Sequence, residues 1–173
     1  MNNIAACAHP TRAKSTFGTE FFAATTAPAT RAESGDGAGA GAGGGPRAIV
    51  WSIAGSDSGA GAGLQADLKA LTAFGVHGCT VVAAITAQNS QTVTRVEPVS
   101  PDLLDAQFAA LAHDMPPAAI KTGLLGSVAN VRVVCVWVDR LREAARARGH
   151  SVALVVDPVL GASTGAAFAS ADV

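Results

Sequence analysis

Tyrosine is absent from this 173-residue chain, and aromatic residues of any kind make up only 5% of it. That removes the stacking platform single-stranded nucleic acid uses. There is no excess of basic charge to replace it. From residue 48 onward eight Lys/Arg face ten Asp/Glu, a net of −2, and four of those bases (Arg140, Arg142, Arg146, Arg148) crowd the end of one predicted helix, where cations complement the macrodipole. Nucleic acid is therefore excluded as a partner. Cys7, Cys79 and Cys135 are odd in number and form no CxxC pair, so Cys79 and Cys135 read as small buried hydrophobes of a reducing compartment, with the cytoplasm as the expected location. The histidines at 9, 77, 113 and 150 pair with nothing at ligand spacing, and no protein metal site is expected. No apolar run reaches the ~18 residues that cross a bilayer, so no membrane partner is expected either. No Gly-Lys dipeptide occurs, which rules out a P-loop.

Low complexity fills the first 47 residues, which end in the run GDGAGAGAGGGP. Such a stretch cannot bury enough apolar area to offset its ordering entropy. Arg12, Lys14 and Arg31 among Ser, Thr and Ala suggest a transit peptide, but Glu20, Glu33, Asp36 and the missing amphipathic period argue against one. A disordered tail over 1–47, or an over-extended reading frame, is the expectation, with the folded domain at 48–173.

Within that domain the richest segment is Ile49 to Lys69, IVWSIAGSDSGAGAGLQADLK. An apolar strand, Ile49 to Ala54, breaks into a loop with glycines at 55, 59, 61 and 63, and the loop opens an amphipathic helix. Glycine permits positive φ and close approach, so this loop is expected to present bare N–H groups beside a helix N-terminus. Leu64, Leu68 and Leu71 follow at helical spacing, and Val76-His77-Gly78 closes the helix. Cys79 to Ile85 is a continuous apolar run, the pattern of a strand buried on both faces. A short extended piece, Val93 to Val96, precedes Pro98. Ser100 caps a helix from Pro101 to Leu111 with Leu104, Phe108 and Leu111 inward. Ala118 to Lys121 is a third strand. Ser127 caps a helix from Val128 to Arg148 with a stripe of Val128, Val131, Cys135, Val138, Leu141 and Ala145, and Gly149 stops it. Val152 to Val156 is a fourth strand. Strands alternating with helices at these lengths predict an α/β fold, with a mainly parallel sheet between two helical layers. After Asp157 no further strand or cap is legible, so the domain is expected to be the front of a larger one, cut after about the fourth core strand.

In parallel α/β sheets ligands gather at the carboxyl ends of strands. Four such ends are legible: Gly55 to Gly63, Gln88-Asn89, Lys121-Thr122-Gly123 and Asp157-Pro158-Val159. Asp67 falls on the apolar sector of its helix, between Phe74 and Leu71, so its carboxylate either meets a polar ligand or sits at that sector's wet margin. The Gln88 amide suits a heterocycle edge, or else a solvated loop. Gly61-x-Gly63-x-x-Ala66 fits the dinucleotide pattern, but Ala87-Gln88 stands where the acid at the end of the second strand belongs, so a Rossmann site is not supported.

The segments SIAGSDSGAGAGLQADLKAL, GVHGCTVVAAITAQNS, AIKTGLLGS and VVDPVLGASTG, in this order, resemble the first half of the hydroxymethylpyrimidine/phosphomethylpyrimidine kinases of thiamin biosynthesis, which are ribokinase-like. The resemblance covers about 48 to 173. In the loop the family's usual Asp-Pro-Ser-Gly-Gly is here Asp57-Ser58-Gly59-Ala60-Gly61, and Leu124 stands where methionine is common. The resemblance implies a pyrimidine pocket of Gly55, Asp67 and Gln88 with Leu124 and Val159 as apolar walls, and Lys121 and Asp157 towards phosphate and Mg²⁺. It implies ATP as phosphoryl donor, a small aminopyrimidine as substrate and a homodimer as the candidate assembly. The family's anion hole and base lie in a later Gly-Thr-Gly-Cys-like segment that this chain does not show, so no catalytic residue is assigned, and 1–173 alone is expected to be nearly inactive. A pyridoxal-type vitamin kinase and a non-catalytic pyrimidine-binding fragment are the alternatives.

Overall fold

The computed structural model describes residues 47–159, so the low-complexity tail and residues 160–173 lie outside the described region. Its elements run β1 (Ile49–Asp57), α1 (Gly63–Ala73), β2 (His77–Gln88), β3 (Val93–Pro98), α2 (Pro101–Asp114), β4 (Ala119–Thr122), α3 (Val128–Ala147) and β5 (Ala153–Val156). The strands form one sheet in the order β3-β2-β1-β4-β5. β2, β1, β4 and β5 run parallel, and β3 lies antiparallel along the outer edge of β2. The mainly parallel α/β architecture is as expected. The extended piece at Val93 is a true fifth strand, because a four-residue turn after Gln88 can return the chain as a hairpin without a crossover.

Successive side chains of β1 alternate between the two faces of the sheet. Trp51 and Ile53, both fully buried, point to the face covered by α2 and α3. There the Phe108 ring stacks on Trp137 at 5.6 Å and meets Trp51 tilted at 6.0 Å. Ser52 points to the other face, beneath α1. The layers are therefore α1, the sheet, and the α2–α3 pair.

Several expected boundaries move. β1 continues three residues past Ala54 to Asp57, and β2 begins at His77, so the helix-closing turn is Phe74 to Val76. Phe74, placed by pattern on the apolar side of α1, is 83% exposed, and Ile85 and Ala87 leave the end of β2 open on one face. On α3 the inward stripe is rotated. Asn130, Val134, Trp137, Val138 and Leu141 are buried, whereas Val128 is exposed and Cys135 only half-buried. Burying the large Trp137 against Phe108 outweighs burying Cys135. Asn130 can sit inside because its Nδ2 donates to the carbonyls of Ala83, Val99 and Leu125.

Ala83 is an extra residue in β2, since Ala54 pairs with Val82 and Gly55 with Ala84. Just before it, β2 has no strand on its outer side. The Gln107 side chain of α2 takes that place: its Oε1 accepts from Val82 N–H at 2.8 Å and its Nε2 donates to Val82 C=O at 3.0 Å.

Candidate functional site

The glycine loop between β1 and α1 is organised by an acid that composition did not single out. Asp57 is 5% exposed, and its carboxylate accepts from the backbone N–H of Gly59 (2.7 Å), Gly61 (3.0 Å) and Ala62 (2.9 Å). The expected bare N–H groups are thus already taken, two of them at the start of α1, where Ala62 offers no side-chain cap of its own. The Asp57 N–H donates to Gln65 Oε1, and Gln65 Nε2 donates to Ser56 Oγ. Only one glycine of this loop needs positive φ: Gly63, at 56°, where an added Cβ would meet the Gly55 carbonyl oxygen at 2.3 Å. The signal available in sequence was the Asp-x-Gly spacing, which closes an Asx-turn, followed by a helix start.

Asp67 has internal partners. Ser52 Oγ donates to its Oδ2, and Lys121 Nζ reaches Oδ1 at 3.1 Å and Oδ2 at 3.0 Å. Lys121 also lies 3.7 Å from Asp157 Oδ2. β1, α1, β4 and the end of β5 thus converge on one ion cluster, with the Asp67 side chain 20% exposed, Lys121 28% and Asp157 53%. Lys121 is shared between the two acids. Two bonds on Oδ2 and one on Oδ1 use three of a carboxylate's roughly four acceptor directions, leaving one on Oδ1.

Gly55 is buried against Leu124, whose Cδ2 would lie 3.2 Å from a Cβ at that position. Gln88 is fastened by its backbone: Ser58 Oγ donates to its carbonyl at 2.6 Å and accepts from its N–H at 2.8 Å. Among the described residues nothing bonds its side-chain amide. Val159 is half-buried, and its N–H donates to the Asp157 carbonyl at 2.9 Å. The structure therefore joins Gly55 with Leu124, Asp67 with Lys121 and Asp157, and the glycine loop with Gln88. Ser52, Asp57 and Ser58 are the partners that sequence reasoning missed.

Cys79 takes no part. It is buried on the α2–α3 face, where burial pushes its thiol up and its Sγ lies 3.9 Å from Met115 Sδ. No helix among the described residues is long and apolar enough to cross a membrane.

The sequence profile described as phosphomethylpyrimidine kinase matches residues 57–173. A hydroxymethylpyrimidine/phosphomethylpyrimidine kinase of Rhizobium meliloti is 44% identical over 125 residues, which is 72% of this chain and 44% of that protein. Its counterpart in Synechococcus elongatus is 40% identical over 118 residues, 68% of this chain and 41% of that one. The chain thus spans less than half the length of these relatives. Among solved structures, a phosphomethylpyrimidine kinase from Clostridium difficile superposes with a TM-score of 0.63 at 34% identity, over 73% of this chain and 51% of that one. The ADP complex of Bacillus subtilis pyridoxal kinase gives 0.56 at 30% identity, over 66% and 42%.

Proposed function

This chain belongs to the phosphomethylpyrimidine kinase family, and on that premise we propose that the strand ends of β1, β2, β4 and β5 form the pyrimidine-binding half of an ATP-dependent hydroxymethylpyrimidine/phosphomethylpyrimidine kinase. The observation that carries the reading is Asp67: a mostly buried carboxylate, fixed by Ser52 and Lys121, with one acceptor direction left on Oδ1. A ring amino group supplies the donor that direction lacks. The unbonded Gln88 amide offers a second contact to the ring edge, and Leu124 and Val159 supply apolar cover for its faces. Gly55 lets Leu124 close over the strand end.

In this reading the substrate's hydroxymethyl oxygen attacks the γ-phosphorus of ATP and gives up its proton to a base not assigned among the described residues, the bond to the β-bridging oxygen breaks, and ADP leaves. Such a reaction rests on positioning and charge stabilisation more than on covalent participation by the protein. These residues supply the positioning. Lys121, between Asp67 and Asp157, puts its charge where the ring end and the reacting end of the substrate meet. Mg²⁺ travels with the nucleotide's phosphates. Among the described residues no three potential ligands converge on one point, and the Lys121 ammonium already stands beside Asp157, so no step is assigned to the metal. A homodimer remains the candidate assembly.

Calorimetric titration with hydroxymethylpyrimidine tests the reading. Asp67→Asn keeps the shape but replaces one oxygen with a donor. A hydrogen bond to a charged group is worth ~1.5–3 kcal/mol, so the affinity should fall roughly 10- to 150-fold. Gln88→Ala should act in the same direction and Asp102→Asn, in the first turn of α2, should not. Unchanged binding by Asp67→Asn would remove it from the site, and preference for pyridoxal over the pyrimidine would select the other vitamin-kinase branch.

A further inference from the structure

We propose that Asp57 is the positioning residue of this pocket, a built-in anion that holds Gln88 in place through the glycine loop. The inference rests on the proposed pyrimidine site for its ligand, but on geometry alone for its mechanism. Asp57 is nearly fully buried, and among the described residues no cation pairs with it. Its partners are the three backbone N–H groups of Gly59, Gly61 and Ala62. N–H groups gathered at a helix start are the arrangement in which proteins seat a phosphate. Here the chain's own carboxylate fills that seat, so the loop is closed before any ligand arrives, and the anionic end of a phosphorylated substrate is directed elsewhere.

Closure reaches the pocket by two routes. Ser58, the next residue, clamps both backbone groups of Gln88, so a loop that opens at Asp57 releases the segment that presents the Gln88 amide. On the other side, the Asp57 N–H is held by Gln65, two positions before Asp67 on α1. A carboxylate outside the ligand's reach therefore sets two groups that touch it.

The test is amide hydrogen exchange on the full chain, joined to the calorimetric titration. Asp57→Asn puts an amide NH₂ against backbone donors. It is expected to speed exchange about tenfold or more at Gly59, Gly61, Ala62 and Gln88, to leave Trp51 and Ile53 in β1 protected, and to weaken pyrimidine binding about tenfold. In Asp57→Gly, millimolar acetate should restore both protection at Gln88 and binding by refilling the seat, with no effect on the native chain. Ser58→Ala, which leaves the buried carboxylate untouched, should free Gln88 while Gly59 stays protected, and it decides the matter if the Asp57 variants do not fold. Unchanged exchange at Gln88 in Asp57→Asn overturns the proposal whatever happens to affinity, and so does unchanged exchange there in Ser58→Ala. A native chain that fails to bind the pyrimidine would overturn the functional reading instead, while exchange at Gln88 still judges this one.

Discussion

Gly63 and Gly75 both hold positive φ, 56° and 71°, yet alanine should be tolerated at one and not the other. A Cβ on Gly75 meets nothing within 4 Å, so Gly75→Ala should cost only the ~1 kcal/mol of a left-handed residue. A Cβ on Gly63 falls 2.3 Å from the Gly55 carbonyl oxygen, a backbone atom that cannot swing aside. Gly63→Ala should therefore cost roughly 3 kcal/mol or more, read as a lower urea midpoint at unchanged slope, and it should carry Gly55 and its contact with Leu124 along. That the loop mattered was legible from its glycines. Which glycine was indispensable was not, because the reason lies in how closely α1 crosses β1. Asp57 was hidden for a related cause. Its partners are backbone N–H groups, which every residue has, so only the Asp-x-Gly spacing before a helix start hints at them. Asp67 was legible as an anomaly on its helix, whereas its partners Ser52 and Lys121 lie 15 and 54 positions away.

Apolar runs in the strands and the Ser-Pro and Ser caps of α2 and α3 were readable because each is a local feature, and the structure keeps them: Ser100 Oγ accepts from Leu103 N–H and Ser127 Oγ from Asn130 N–H. Register was not readable. The extra residue at Ala83 and the antiparallel return of β3 depend on what lies beside β2. Gln107 shows how an element can serve its neighbour there, with a helix side chain standing in for an absent strand at Val82. Gln107→Leu preserves the bulk and strands one donor and one acceptor, which water reaches only in part because Val82 is half-buried. The expected loss is about 2 kcal/mol, with the Val82 amide exchanging faster while Val81, on the β1 side, keeps its protection. An unchanged midpoint would mean that water replaces the amide without penalty. The rotated stripe of α3 has the same origin, since a buried Asn130 is read as polar until its three carbonyl acceptors are known.

At the scale of the molecule, the sheet separates chemistry from packing. Asp67, Lys121 and Ser52 share the α1 face, while Trp51, Phe108, Trp137 and Cys79 fill the α2–α3 face. Because burial raises the Cys79 thiol, its contribution to stability is complete below the unfolded thiol's pKa and is lost as pH climbs through the folded one. Stability should therefore decline at alkaline pH, and less so in Cys79→Ala. Alkylation at Cys79, followed by peptide mapping, should proceed only as fast as the fold opens. Rapid labelling under native conditions would contradict its burial. That the core strands run parallel followed from the alternation of strands and helices, but their order and the separation of the two faces needed the structure. It also has an optical consequence. Both tryptophans of the chain belong to the stack with Phe108, and there is no tyrosine elsewhere to emit. Its tryptophan fluorescence therefore originates wholly behind the sheet, so that light should register melting while staying dark to whatever settles beside Asp67.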